Sequence, residues 1–298
     1  MTGRRRFAAG EFAAADLAAC KGSTTVSVCL PARNEEKTVG AIVEAVRSEL
    51  MGELGLVDEL IVMDDHSTDR TAAIAADAGA SVVACADVLT HLGNQPGKGE
   101  ALWKSLFSST GDIVVWCDSD VANFGAHFIT GLLGPLLADR SIGYCKGFYQ
   151  RPVGADQRGG GRTTELVARP LIALLFPELS GIVQPLAGEY AGRRDVLERV
   201  PFVQGYGVEM GLLIDVWRLA GYSAIAQVDL GTRLHRNRPL HELSTQATEV
   251  MQAALHRADR TLVNAAITLR RPGLGDTEIT MQERPPLIEV PGYFRHAR

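Results

Sequence analysis

The segment Ile113-Val114-Val115-Trp116-Cys117-Asp118-Ser119-Asp120 runs from an apolar stretch into two carboxylates one residue apart. Three β-branched residues and a tryptophan read as a buried strand. Ligands of open α/β sheets gather at the carboxyl ends of strands. Asp118 and Asp120 would therefore sit where a hard divalent cation takes oxygen ligands and shares them with phosphates. The same triplet suits a helix cap or an Asx turn, and alone it does not decide between these readings. A second acid pair, Asp64-Asp65, ends another apolar run and leads into His66-Ser67-Thr68-Asp69, and Pro31-Ala32-Arg33-Asn34-Glu35 follows a third run. Lys98 stands between Gly97 and Gly99, where backbone can approach a phosphate and an ammonium can neutralise it. The P-loop spacing is absent.

These groups need strands to aim them. Strands are predicted over 25–30, 56–63, 81–84 and the run before Asp118, with helices over 35–50, 70–78 and 100–109 between them. Such βαβαβ alternation is the pattern of a parallel sheet with right-handed crossovers, and it brings all the marked turns to one sheet edge. Further on, the patterning predicts a helix over 128–137, a strand over 142–149, and a glycine-rich stretch over 154–161 that opens into Arg162-Thr163-Thr164-Glu165. A helix over 166–175 continues despite Pro170, and Gly188-Glu189-Tyr190-Ala191 turns into a strand. A helix over 208–219, a strand over 224–230, the segment His235-Arg236-Asn237-Arg238-Pro239 and an amphipathic helix over 240–258 follow. A short helix is predicted within 8–19, and Arg4, Arg5 and Arg6 read as a solvated tail. The Pro-, Gly- and Arg-rich segment 270–298 is expected to be extended or poorly ordered. The organisation read from this is an N-terminal segment (1–23), a first α/β half (24–150), a less regular second half (151–258) and a C-terminal tail (259–298).

With 298 residues, 46% hydrophobic and 22% charged, the chain has the composition of a globular protein large enough for one big domain or two small ones. A net charge of −5 gives no global basic field for nucleic acid or anionic membrane. Cys20, Cys29, Cys85, Cys117 and Cys145 are scattered without a CxxC pair, which points to reduced thiols and a cytoplasmic location. No apolar run is long enough to span a membrane and no signal-peptide core is present.

Taken together, Leu30-Pro31-Ala32-Arg33-Asn34-Glu35-Glu36, Asp64-Asp65-His66-Ser67-Thr68-Asp69 and Asp118-Ser119-Asp120 resemble the GT-A nucleotide-sugar glycosyltransferases. Three further segments, Pro96 to Trp103, Gly159 to Pro170 and His235 to Leu240, narrow the resemblance to the retaining glucosyl-3-phosphoglycerate synthase family, over roughly 24–256. The resemblance implies a GT-A (Rossmann-like) α/β domain with an acceptor-binding α/β part behind it. It implies UDP-glucose and 3-phosphoglycerate as substrates, Mg2+ or Mn2+ as cofactor, and a homodimer. Pro31, Ala32, Asn34, Glu35, Asp65, Asp118, Ser119, Leu186, Gly188 and Tyr206 would line the nucleotide-sugar site, with Lys98 on the diphosphate and Glu209 on the sugar. Asp120 and His235 would hold the metal, and Gly161, Arg162, Thr164, Arg233 and Asn237 the acceptor. Glu209, Lys98 and Asp120 would be the catalytic groups. Two departures stand out: His66 replaces the small residue, usually glycine, of the family, and the segment between Arg151 and Gly159 is shortened.

Three chemistries compete on the residues. A retaining transferase working by double displacement needs a carboxylate about 3 Å from the anomeric carbon. The sequence places none there, and the resemblance implies front-face attack, with the leaving phosphate accepting the acceptor proton. A related GT-A enzyme with a mannosyl donor, or an inverting one with a lipid or polysaccharide acceptor, is the second reading. A nucleotide-sugar-binding protein without catalysis is the third.

Overall fold

The computed structural model describes residues 5–152, 161–234, 242–258, 266–269 and 277–293. The strands are β1 (Arg6–Ala8), β2 (Val26–Ala32), β3 (Glu59–Asp64), β4 (Ser81–Ala84), β5 (Ile113–Trp116), β6 (Tyr144–Gln150), β7 (Tyr190–Arg193), β8 (Phe202–Val203), β9 (Ile225–Thr232), β10 (Ala266–Leu269), β11 (Thr277–Thr280) and β12 (Glu283–Arg284). The helices are α1 (Ala14–Cys20), α2 (Val39–Leu50), α3 (Thr71–Asp77), α4 (Lys98–Ser108), α5 (His127–Ala138), α6 (Arg169–Leu175), α7 (Arg194–Leu197), α8 (Val208–Ala220) and α9 (Leu243–Arg257).

Eight strands form one sheet in the order β1-β9-β6-β7-β5-β2-β3-β4. All neighbours run parallel except β7, which is antiparallel to both β5 and β6. The continuous apolar runs predicted as buried strands arise because both faces of the sheet are covered. In β5, Ile113 and Val115 pack into the core on one face, and Val114 and Trp116 into the core on the other. Burying such a side chain is worth roughly 1.5–3 kcal/mol. A one-residue slip would reverse every assignment, so this packing fixes where Asp118 and Asp120 emerge. They emerge beside β2, where the chain order of the sheet changes direction; such a switch point opens a crevice at the strand ends.

Several boundaries differ from those predicted, each for a physical reason. The helix expected from residue 35 begins at Val39. Asn34 adopts φ 58°, and the N–H groups of Asn34, Glu35 and Glu36 bond to Ser67, Thr71 and Asp69, in the loop after β3 and at the start of α3, at 3.0, 2.8 and 3.3 Å. That clasp uses donors that a helix would leave free. The helix expected from residue 100 begins at Lys98. Pro170 is accommodated because a π-helical stretch, Thr164–Ala168, precedes α6 and leaves the proline in the first turn.

The two termini correct the sequence reading. Arg5 and Arg6 are not a solvated tail: β1 pairs with the otherwise open edge of β9, and Arg5 makes an ion pair with Asp139 at 2.8 Å. Arg4 lies outside the described residues. Within the expected disordered tail, β12 pairs with β8, and the Arg284 guanidinium forks onto buried Glu100 at 2.8 and 2.9 Å. Trp103 Nε1 donates to the Pro285 carbonyl at 3.1 Å, and Leu287 and Val290 are buried. Apolar anchors at wide spacing, set among prolines and arginines, gave no periodic signal.

Candidate active site

The carboxyl ends of β2, β3, β5, β6 and β9 open into one cavity of about 470 Å³. Its lining includes Pro31, Ala32, Glu35, Asp65, Lys98, Asp118, Ser119, Asp120, Gly161, Arg162, Thr164, Leu186, Tyr206, Glu209 and Arg233. Most of the predicted site residues are thereby brought together. Asn34 is not on the wall. Its amide oxygen instead receives the Thr68 N–H at 2.8 Å, so it ties together the loops that carry Pro31 to Glu35 and Asp65. Gly188 packs behind Asp118, where a Cβ would come within 2.2 Å of the carboxylate. His235 and Asn237 lie outside the described residues.

Lys98 occupies the first turn of α4, a place where the helix dipole disfavours a cation. Two carboxylates offset this: its Nζ lies 2.5 Å from Asp118 Oδ1 and 2.7 Å from Glu209 Oε1. Glu209 itself starts α8, a favourable end for an acid. The approach of α4 to β8 depends on Gly99, since a Cβ there would lie 1.7 Å from the Val203 carbonyl oxygen. Ser119 fastens the end of β5 to β2 by donating its hydroxyl to the Pro31 carbonyl at 2.8 Å.

Opposite Lys98, one nitrogen of Arg233, Nη2, lies 2.9 Å from Asp118 Oδ2 and 2.6 Å from Asp120 Oδ1. Its Nε lies 2.9 Å from Glu189 Oε1, off the hydrogen-bond axis, and both Glu189 oxygens lack a well-formed hydrogen bond. Burial pushes the Asp118 carboxyl up, but Lys98 and Arg233 outweigh it and hold the group well below the ordinary carboxylate range. For Asp120 burial wins over the Arg233 charge, and its pKa is raised. Burial pushes the Lys98 ammonium down, and Asp118 and Glu209 overcompensate and hold it well above its ordinary value.

Sequence reasoning missed Glu189, Arg151 and Glu249 at this site. Glu189 is fully buried and precedes β7; because β7 runs antiparallel, its entrance lies at the same edge as the exits of the parallel strands. Orientation of a single inserted strand has no sequence signature. Arg151 follows β6, lines the cavity and donates to the Tyr149 hydroxyl at 2.6 Å. It carries a charge directly after a strand, a signal that the other strand ends also gave. Glu249 of α9 accepts the Tyr206 N–H at 2.5 Å and comes from a helix whose apolar periodicity said nothing about this face.

The donor set fits a divalent cation. Asp118 and Asp120 present hard carboxylate oxygens at the cavity wall, paired with Lys98 and Arg233 and with the Arg151 charge nearby. The Arg233 nitrogen between Asp118 and Asp120 also marks a place where a positive charge is accommodated by hard oxygen donors. Among the described residues no group of three metal-ligating side chains forms; of the two predicted ligands, Asp120 lines the cavity and His235 lies outside the described residues.

Residues 27–200 match the model of Glycosyl transferase family 2. The chain is 48% identical to the glucosyl-3-phosphoglycerate synthase of Mycolicibacterium smegmatis, over 93% of each chain. It is 46% identical to that of Petrotoga mobilis, covering 92% of this chain and 89% of the relative. Its structure superposes with a TM-score of 0.86 on the crystal structure of the Mycobacterium tuberculosis enzyme in complex with Mn2+, UDP-glucose and phosphoglyceric acid, at 45% identity and over 93% and 95% of the two chains. The fold is the GT-A, Rossmann-like fold expected from the sequence, and the chain belongs to the glucosyl-3-phosphoglycerate synthase family within Glycosyl transferase family 2.

Proposed function

We propose that this protein transfers glucose from UDP-glucose to 3-phosphoglycerate, with retention of anomeric configuration and with Mn2+ or Mg2+ as cofactor. The observation that carries the reading is the single cavity in which the Lys98–Asp118–Glu209 and Arg233–Asp118–Asp120 ion pairs face the Gly161-Arg162-Thr163-Thr164 turn. It is supported by the ligands bound to the M. tuberculosis relative. In this assignment Pro31, Ala32 and Glu35 bind uridine and ribose, with Asn34 holding their loop. Asp65 accepts from the base, and Asp118 and Ser119 complete the nucleotide wall. Lys98 neutralises the diphosphate as its charge grows. Leu186, Gly188, Tyr206 and Glu209 position the glucose. Asp120 and His235 would hold the divalent ion, which supplies Lewis-acid neutralisation of the leaving diphosphate.

The acceptor carries a phosphate and a carboxylate. Arg162, the Thr164 hydroxyl and the backbone after Gly161 offer a fork, a donor and N–H groups for the phosphate. Arg233 and Asn237 complete the acceptor side. Glu209 is 2.7 Å from the Lys98 ammonium, a pairing that makes a poor free nucleophile and favours front-face attack. The acceptor hydroxyl proton then passes to the departing phosphate oxygen. Residues 24–150 and 151–258 serve as donor and acceptor halves that share one sheet. A homodimer and a cytoplasmic location complete the reading. The first is checked by light scattering, and the second is in keeping with five free cysteines and with no helix among the described residues long and apolar enough to cross a membrane.

The test is product identity by NMR after incubation of the purified protein with UDP-glucose, 3-phosphoglycerate and MnCl2. An α-glucosidic link to the C2 hydroxyl of the acceptor is expected. A β link would overturn retention, and a glucosyl–enzyme adduct on Glu209 would overturn front-face attack. Transfer to neither this acceptor nor a close analogue would overturn the function.

A further inference from the structure

Among the described residues, only Asn34, His66 and Leu89 place a side chain at positive φ, at 58°, 60° and 49°. Residues with a Cβ are strained there, and such strain persists only where the surroundings impose it. At Asn34 the gain is local, since its amide receives the Thr68 N–H. At His66 it lies elsewhere: Nδ1 is 2.9 Å from Oδ1 of the preceding residue, Asp65.

Asp65 is held from every side that the structure describes. Its N–H donates to the Ala32 carbonyl at 2.8 Å, which ties the residue to β2. Its Oδ2 accepts the Gly97 N–H at 3.0 Å, and its Oδ1 faces His66. Only 5% exposed, Asp65 still lines the cavity beside Pro31 and Ala32. With one partner on each oxygen, the carboxylate cannot turn without breaking a contact. Each oxygen keeps a further acceptor site. Such a group is a fixed, acceptor-only probe, suited to a ring N–H and unsuited to a ring nitrogen lone pair. Uracil presents an N–H at N3, where cytosine presents a lone pair.

We propose that His66 is a positioning residue for nucleobase discrimination: its left-handed backbone brings the imidazole onto Asp65 and locks the carboxylate in the orientation that selects a base with a ring N–H. The proposal rests on the nucleotide-sugar reading above. It makes the strain at residue 66 a cost carried for specificity, so stability and selectivity should move in opposite directions when the strain is released.

The experiment is calorimetric titration of UDP and of CDP, with MnCl2, into wild type, His66→Gly and His66→Asn, alongside the Tm of each protein. For His66→Gly the expected result is a Tm equal to or above wild type, a UDP Kd raised about five- to tenfold and a smaller change for CDP, so that the UDP-to-CDP preference falls. The UDP change is equivalent to about 1–1.4 kcal/mol of lost affinity, and the lost discrimination is that figure less the change for CDP. Asparagine tolerates the left-handed backbone and carries an amide donor, so His66→Asn should recover part of the preference. A wild-type UDP-to-CDP ratio in His66→Gly overturns the inference. So does a lowered Tm with both nucleotides weakened equally, which would make His66 a loop support only. A wild-type protein that binds neither nucleotide overturns the donor reading itself, whatever His66 does.

Discussion

Replacing Lys98 with methionine keeps the unbranched apolar stem, one atom shorter, and removes the charge that joins Asp118 to Glu209. The structure sets the size of the effect. Asp118 keeps Arg233 at 2.9 Å and is 23% exposed at its side chain, so its loss is screened and worth less than about 1 kcal/mol. Glu209 is only 6% exposed, and Lys98 is its one ion-pair partner among the described residues. Breaking a buried pair from one side costs roughly 3–5 kcal/mol, because the other charge is left stranded. Lys98 retains 17% exposure, so water reaches part of the pair and the lower end applies, about 3 kcal/mol. For a chain of this size that corresponds to a fall in Tm of roughly 5–10 °C. Adding Glu209→Gln to Lys98→Met removes the stranded charge and should recover at least about 1.5 kcal/mol, making the double variant more stable than the single. Urea unfolding followed by tryptophan fluorescence, without nucleotide or metal, measures all four corners of the cycle. A Lys98→Met variant within about 0.5 kcal/mol of wild type, or a double variant no more stable than the single, would refute the claim that this bridge holds the site together.

Arg162→Ala should raise the acceptor KM at least about tenfold, the loss of a charge-assisted contact, and leave the UDP-glucose KM nearly unchanged. Arg162→Lys should rescue only in part, because a point charge cannot replace a planar fork; steady-state kinetics with each substrate varied in turn separates these. Asp65→Asn should weaken UDP binding about tenfold, since an amide has one acceptor oxygen where the structure uses two; unchanged affinity in a calorimetric titration would make Asp65 a loop tie alone. Lys146 is fully buried on β6, donating to the Ala187 carbonyl at 2.9 Å; burial, opposed in part by Glu209, pushes its pKa down from 10.5 to about 7. The unfolded chain then binds the proton more tightly, so stability should rise with pH between about 7 and 10 and level off below. Lys146→Met should remove that slope, as read by urea midpoints across the range.

What the sequence conveyed was the edge. Strands that end in Pro31, Asp64-Asp65 and Asp118 are legible because apolar runs stop at residues that water and ligands prefer, and parallel topology then carries those ends to one side. The residue types and their order conveyed the family. What the sequence did not convey was which charges would meet. Lys98 and Glu209 are 111 residues apart, Arg233 and Glu189 are 44 apart, and no local pattern encodes pairs brought together by a sheet. Glu189 reached the site through the one antiparallel strand of the eight-stranded sheet. Arg284 reached Glu100 from a tail whose composition reads as unstructured, because one guanidinium fork, one Trp–carbonyl bond and two buried aliphatic residues suffice to dock it. The strained turn at His66 was legible only as an unusual residue; its geometry needed the coordinates.

The most direct measurement is the rate of UDP release from UDP-glucose by the purified protein, with and without 3-phosphoglycerate, in MnCl2 and after chelation, for wild type and Asp120→Ala. The account predicts release that depends on 3-phosphoglycerate and is lost on chelation, and an Asp120→Ala variant that is inactive under every condition while its unfolding transition stays cooperative. Acceptor-dependent turnover that survives both the chelator and the loss of Asp120 would contradict it.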